Sequence, residues 1–476
     1  MTDNRPSLLN IKSMPVSTAL QFTTDVLDAV IVGGGADGRT FSRFELQPKG
    51  FLHPNTQLVV KLKVSGTAGV ADSSFPFIGN GLYSLIRRAV LKTADGTTIC
   101  ETDDLNELLA CKSQFISNSA NKEREQYKTG RQMSYEQIFT DGDGQVAGGY
   151  GLSNHRDYDI RAGGGITTGF VRQGLSVEQH LLNEKESSFS LSLHDLFPYL
   201  KSGNQLPLFM MPRVQVEIYW SDLVSNARMC SQTDADAADP NSVFPVISQQ
   251  IYADYLFYGN DFMEDYRQKN NDLSFSYIDY RLSKNTVTAT TLGTALVRNV
   301  GGNGMQVTKC FAQFSPPDTI GLSKELLGKY TALGPTPDGV DGGRTTLTSN
   351  LFYNNEFLYP QAVVNSATHY HHLISTEGGA AYVSREAYSG EGNTIVALGT
   401  HHFMAKSQRT DLQVKNFWQG FKIIDGQRLD SRGIDLHTQY IADDGTGTAT
   451  DTVQRVWLEI LRFARLENGQ LNTFYS

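Results

Sequence analysis

One hexapeptide pattern occurs twice in this chain, and its recurrence constrains the fold more than any other feature. Arg213-Val214-Gln215-Val216-Glu217-Ile218 and Arg455-Val456-Trp457-Leu458-Glu459-Ile460 both read Arg-Val-x-apolar-Glu-Ile, and they lie close to half of the 476 residues apart. Each run is β-prone with an apolar residue at every second position, so each suits the closing strand of its own half. Between them the stretch Cys230 to Asn241 (CSQTDADAADPN) is polar and acidic and reads as a linker. The expected organisation is an N-terminal arm over 1–40, a first β domain over 41–228, a linker over 229–248 and a second β domain over 249–476.

Alternation supplies the strands. Leu58, Val60, Leu62 and Val64 fall on one face of a run, and Phe275 to Leu282 and Gln306 to Ala312 alternate in the same way. Ala94-Asp95-Gly96 marks a hairpin between two strands, and Asn354-Asn355-Glu356 marks another. Lys422 to Leu429, turning at Asp425-Gly426, reads as a third. One helix is expected after Asp103 or Asp104 as cap, with Leu105, Leu108, Leu109 and Phe115 on one side. Residues 114–187 are polar and glycine-rich and too long for an ordinary connection, so they read as inserted surface loops. Short antiparallel strands in two sets, with few and short helices, mean an all-β chain. Two tandem eight-stranded jelly-roll barrels with long loop insertions fit the domain sizes.

Composition removes several function classes. Lys plus Arg is 41 and Asp plus Glu is 50, a net charge of -9, with no dense basic run to grip nucleic acid. No apolar run reaches the ~18 residues that a bilayer span needs, and MTDNRPSLLN lacks a signal-peptide core. There is no Asn-x-Ser/Thr acceptor. The four cysteines (Cys100, Cys111, Cys230, Cys310) form neither a CxxC pair nor a metal spacing, which suits a reducing compartment of origin.

Two motifs imitate chemistry. Ala29-Val30-Ile31-Val32 followed by Gly33-Gly34-Gly35-Ala36-Asp37-Gly38 satisfies G-x-G-x-x-G, the flavin or nicotinamide fingerprint. That site needs a helix whose first amides hold a pyrophosphate. Here Thr40 to Leu46 is β-prone and Pro48 follows, so a glycine loop beside a strand is expected instead. The second motif is His369-Tyr370-His371-His372 with His401-His402. On a strand His369 and His371 share a face, as in metal-binding cupin barrels. A cupin then wants an acid three or four residues on, whereas Glu377 comes after five, so packing or subunit contact is expected. Gly151-Leu152-Ser153-Asn154-His155 breaks the nucleophile-elbow pattern. Asp234, Asp236 and Asp239 read as a solvated acidic loop rather than a calcium site, and Trp418 and Trp457 as core or interface residues. No residue set supplies nucleophile, base and oxyanion donor together, so no catalytic, cofactor-binding or metal-ligating residue is assigned and no enzyme is expected.

Five groups of residues, spread over most of the chain, carry a family resemblance. They are Gly50-Phe51-Leu52-His53-Pro54-Asn55 with the stretch Gly79 to Arg88; Phe189 to Leu193 with Leu206-Pro207-Leu208-Phe209 and Glu217-Ile218; and Val297 to Gly304. The others are Tyr353 to Glu356 with Tyr359-Pro360 and Tyr370-His371; and Asp425 to Leu429 with the end strand from Trp457 to Gly469. In this order they resemble the double jelly-roll major capsid proteins of the virophage, polinton-like and large eukaryotic DNA virus lineage. Residues 1–40 and 114–187 depart most from the pattern. The resemblance implies a homotrimer forming pseudo-hexameric capsomers of an icosahedral DNA-virus shell, made inside the host cell. It also implies penton and minor or cement proteins as partners, with an inner protein layer or membrane toward the genome. Residues 1–20 hold only Arg5 and Lys12, so direct condensation of nucleic acid by the arm is not expected. The alternatives from other classes are a metal-dependent bicupin-like enzyme and a carbohydrate-binding jelly roll, because fold alone does not dictate function.

Overall fold

A computed structural model describes residues 21–35, 38–63, 74–76, 82–83, 86–112, 128–129, 135–139, 168–172, 180–182, 186–201, 205–220, 246–270, 272–288, 293–315, 346–364, 366–377, 418–423, 428–441, 451–467 and 469–475. In the first half the strands are β1 (Gln21–Asp28), β2 (Ile31–Gly35), β3 (Gly38–Glu45), β4 (Phe51–Leu52), β5 (Gln57–Lys63), β6 (Ser74–Pro76), β7 (Ile86–Thr93) and β8 (Thr98–Thr102). They continue with β9 (Tyr135–Phe139), β10 (Thr168–Arg172), β11 (His180–Leu182), β12 (Glu186–Ser192), β13 (Val214–Trp220) and β14 (Val246–Phe257). In the second half are β15 (Asp272–Val287), β16 (Leu296–Gly301), β17 (Val307–Ser315), β18 (Thr346–Tyr353) and β19 (Glu356–Phe357). The last four are β20 (Gln419–Lys422), β21 (Ile434–Ile441), β22 (Thr452–Glu467) and β23 (Gln470–Tyr475). Among the described residues five helices intervene: α1 (Leu105–Lys112), α2 (Leu193–Leu196), α3 (Pro198–Lys201), α4 (Asn260–Lys269) and α5 (Ser366–Thr376). None is long and apolar enough to cross a membrane.

Four larger sheets make two sandwiches. The second half shows the jelly-roll order completely: β15-β22-β17-β20 in one sheet and β16-β21-β18-β19 in the other. Counting its eight strands from β15 to β22, the orders are 1-8-3-6 and 2-7-4-5, the interleaving a folded-over hairpin produces. The first half repeats the frame. Strand β13 is flanked by β3 and β7 as β22 is flanked by β15 and β17, and β5 pairs with β12 as β16 pairs with β21. The twin hexapeptides therefore occupy equivalent places, each on a strand held between two antiparallel partners of its own barrel. The two inner faces meet through Leu58, Phe189, Leu91 and Val216 in the first barrel, and through Leu351, Leu436, Val307 and Leu458 in the second.

The expected boundaries need two corrections. Residues 21–35, assigned to an arm, are strands: β1 pairs with β14 and β2 with β3. The β1 side chains alternate only between exposed and half-buried, a pattern too polar to read as a strand from sequence. The second domain also does not begin at 249. Strand β14 hydrogen-bonds to β1, β4 and β5 in the first barrel, and α4 separates it from β15. Ile251, Ala253 and Tyr255 alternate into the first core, which holds the strand there. The acidic stretch 230–241 and most of the inserted segment 114–187 lie outside the described residues, although β9 pairs with β10, and β11 with β6, within or against that insertion.

Local chemistry accounts for the turns. Gly96, at φ 97°, closes the β7–β8 hairpin where an L side chain would be strained, and Asn354 and Asn355 take positive φ in the β18–β19 turn. The Asp425-Gly426 turn of the third expected hairpin lies outside the described residues; of its arms, Lys422 pairs with Lys309 and Arg428 bridges to Gln306.

Candidate functional site: the seam between the barrels

The sequence candidates scatter rather than converge. Gly33 to Gly35 lie in β2 and Gly38 opens β3, so the glycine fingerprint spans a β-hairpin with no helix following it. The expected loop is thus mostly strand, because a glycine run can pair edge to edge as readily as it can turn. The histidines depart further from expectation. His369, His371 and His372 sit on α5, not on a strand, and a helix turns residues two apart to different faces. His369 is buried, its Nε2 lies 2.8 Å from the Leu347 carbonyl, and burial pushes its pKa down to about 4. His371 is exposed, and His372 stacks on Tyr359 with ring centroids 4.1 Å apart. His401, His402, Gly151 to His155, Asp234, Asp236, Asp239 and Cys230 lie outside the described residues. Cys100 and Cys310 are buried free thiols whose pKa values burial raises, and Trp418 and Trp457 pack together, 5.3 Å between ring centroids.

What the fold does bring together is a band of buried charge where the barrels meet. Strand β8, the far edge of the first barrel's sheet, runs beside β15, the near edge of the second's, and α1 continues from β8 across the outer face of β22. At the β8 end, the Arg462 guanidinium donates to the Asp279 carboxylate at 2.7 Å, to the carbonyls of Ile99 and Thr98, and to the Thr473 hydroxyl. Asp279 also accepts the backbone N–H groups of Glu101 and Tyr280. Tyr277 donates its hydroxyl to the Ile99 carbonyl at 2.6 Å. This one ion pair therefore ties four strands, β8, β15, β22 and β23. Burial pushes the Asp279 carboxyl up to about 6 even though Arg462 and the two amides pull it down.

At the α1 end, Asp104 leaves the capping geometry the sequence suggested. It takes φ 44°, its carbonyl accepts the first helical N–H groups, and its carboxylate turns to Arg455 at 2.8 Å and Lys284 at 3.0 Å. The Asp103 carbonyl accepts the Trp457 indole N–H at 3.2 Å. One helix length on, Lys112 donates to Glu377 at 3.2 Å and lies 3.6 Å from Glu459, with its ammonium over the rings of Tyr280 and Phe311. Burial raises the Glu459 pKa, but Lys112, Lys309 and the hydroxyls of Tyr280 and Thr308 outweigh it and hold the carboxyl below the usual range. Removing one partner from such a buried pair leaves an uncompensated charge and costs about 3–5 kcal/mol. The seam therefore fixes one barrel on the other. Among the described residues there is no group of three His, Cys, Asp or Glu side chains placed to hold a metal ion. Sequence reading missed Asp279 and Arg462; their one signal is a charge at an otherwise apolar strand position, after Phe275 and Tyr277 and before Ala464.

Comparison with known proteins then bears on the fold. No family model and no curated sequence matches the chain. Solved structures do. The Faustovirus major capsid protein superposes with a TM-score of 0.57 at 8% identity, covering 97% of this chain and 92% of that one. The PBCV-1 virus capsid gives 0.54 at 10% identity, covering 98% and 100%. The Sputnik virophage structure gives 0.54 at 10% identity, covering 100% and 93%. The chain has the double jelly-roll fold these capsid structures share, over almost its whole length.

Proposed function

We propose that this chain is the major capsid protein of a DNA virus, acting by self-assembly rather than catalysis. The observation that carries the reading is the pair of equivalent jelly rolls held by a buried seam, spanning nearly the full length of the capsid chains it resembles. Three copies of a two-barrel subunit present six similar lobes, so one polypeptide can tile a near-hexagonal lattice as pseudo-hexameric capsomers. In this reading the partners are other copies of the chain, penton and minor or cement proteins, and an inner protein layer or membrane; the residence is the virion, after synthesis inside the host cell. The bicupin alternative loses its support because it requires His369 and His371 on one strand face, whereas they lie on α5.

The test is the size and shape of the purified full chain. Sedimentation should give a particle of roughly three times 52.6 kDa, and negative-stain images should show a near-hexagonal outline. A monomer at all concentrations, or one stoichiometric iron, manganese or zinc per chain, overturns the reading.

A further inference from the structure

The first barrel has one continuous apolar core, whereas the core of the second is divided. On β18 and β21 the paired Leu351 and Leu436 belong to one part, and the paired Leu347 and Tyr440 to the other. Between them the cross-strand pair Ser349 and Thr438 faces inward by the two-residue period. On the opposite sheet Gln419 of β20 points inward in step with Phe421, and Thr452 and Gln454 of β22 in step with Val456 and Leu458. All five side chains belong to residues at most 4% exposed. Both amide atoms of Gln419, the Gln454 Nε2 and the three hydroxyls have no hydrogen-bond partner among the described residues. Buried polar groups are otherwise almost always paired, because burial removes the bonds that water would supply.

Arg298 of β16 reaches this polar layer. Its Nη1 donates to the Gln454 carbonyl at 3.3 Å and to the Gln454 Oε1 at 3.0 Å, and its Nη2 donates to the Ser283 hydroxyl at 2.7 Å. All three acceptors are neutral. The buried guanidiniums of the seam differ: Arg455 sits on Asp104 and Arg462 on Asp279. Burial lowers the Arg298 pKa, and no carboxylate among the described residues raises it. The same bond fixes the Gln454 amide. Its Oε1 must face the guanidinium, because the amide nitrogen there would set donor against donor. The Nε2 is thereby turned away from Arg298, fully buried and without an acceptor.

We propose that the second barrel binds one small inorganic anion, of the class of chloride, sulfate and phosphate, at Arg298 and Gln454 between its two sheets. The Thr438 hydroxyl lies beside this site, since Leu296 and Leu436 are the cross-strand partners of Thr438 and Arg298, and Thr452 precedes Gln454 on the same face. Charge selects the ligand class. Water can satisfy the hydroxyls and amides, but it leaves the guanidinium without a counter-charge. An anion supplies here what Asp104 and Asp279 supply in the seam. Strand β16 is the edge of its sheet and Arg298 is half-buried, so an anion reaches the site without the core opening. Its role is to join the two sheets where apolar packing is interrupted.

The test is calorimetric titration of the purified full chain, held in gluconate at fixed ionic strength, with sodium chloride, sulfate and phosphate in turn. At least one of the three should bind at one per chain and raise the melting midpoint by about 2–4 °C at saturation. Arg298→Gln should lose both the binding and the shift. Gln454→Glu builds a carboxylate beside the guanidinium, so it should melt above the wild type in gluconate and respond to none of the three anions. Wild-type crystals soaked in bromide or selenate locate the site without any substitution, and the expected anomalous peak lies between Arg298 and Gln454. A wild type that binds none of the anions, binding that survives Arg298→Gln, or an anomalous peak found only elsewhere overturns the site. Each of these results leaves the capsid reading standing, because that reading rests on the two barrels and not on this layer.

Discussion

Strands β13 and β22 begin from nearly the same letters, and they differ in what covers them. On the inner face they agree: Val214, Val216 and Ile218, like Val456, Leu458 and Ile460, are buried in their cores. On the outer face each glutamate sits between its two flanking strands. Glu217 accepts from Arg43 on β3 at 2.8 Å and Lys92 on β7 at 2.7 Å; Glu459 accepts from Tyr280 on β15 at 2.9 Å and pairs with Lys309 on β17 at 3.5 Å. The arginines part company. Arg213 is an exposed side chain paired with Glu45, whereas Arg455 is 1% exposed and locked to Asp104 beneath the first barrel's α1. A repeated strand keeps its inward residues because both barrels need a core. Its outward residues are set by whether a second barrel lies on top.

The comparison breaks most easily where the strands agree. Val216→Asp and Leu458→Asp each put an unpaired charge into a closed core, with a cost of about 4 kcal/mol or more. Both should abolish soluble folded protein, read as loss of the cooperative melting transition and of the assembled species. If one of the two is tolerated, the strands are not equivalent in their barrels.

The difference between the arginines gives the next largest effect. Arg455→Ala leaves Asp104 buried with Lys284 as its nearest remaining cation, and should cost about 2–4 kcal/mol in denaturant unfolding. Arg213→Ala removes a solvated pair and should cost about 1 kcal/mol or less. Equal costs would mean that the seam does not load the second strand differently from the first.

That contrast also marks what was legible in the sequence. Inward alternation gave the two repeated strands, the β7–β8 and β18–β19 turns and the helix after Asp104, because burial on one face leaves a period that one chain displays. The seam was not legible: Arg213 and Arg455 are the same letter in the same frame, and only the packing of α1 on β22 separates them. Strands β1 and β14 were missed for the opposite reason, one because its outer face is polar and half-open, the other because it crosses back into the first barrel after a linker. The histidines misled because a pair spaced by two suggests a strand face, while His369, Leu373 and Thr376 follow a helical spacing into the interior.

The smallest effect concerns pH, and it separates the seam from the strand faces by sign. Asp279 is held at about 6, above its value of 3.8 in the unfolded chain. Its contribution to stability is therefore full below pH 3.8 and is lost as pH rises through 6. Glu217 and Glu459 are held below 4.5 when folded, so their contributions are present above that pH and lost only in stronger acid. His369, lowered to about 4, loses its contribution as pH falls from 6.5 and so opposes Asp279 in the same range. Comparing the wild type with Asp279→Asn cancels the histidine. Between pH 7 and pH 5 the wild type should gain about 1 kcal/mol relative to the variant, read from denaturant midpoints at the two pH values. An identical pH slope in the two proteins would show that Asp279 is ionised throughout, and that the Arg462 pair outweighs its burial.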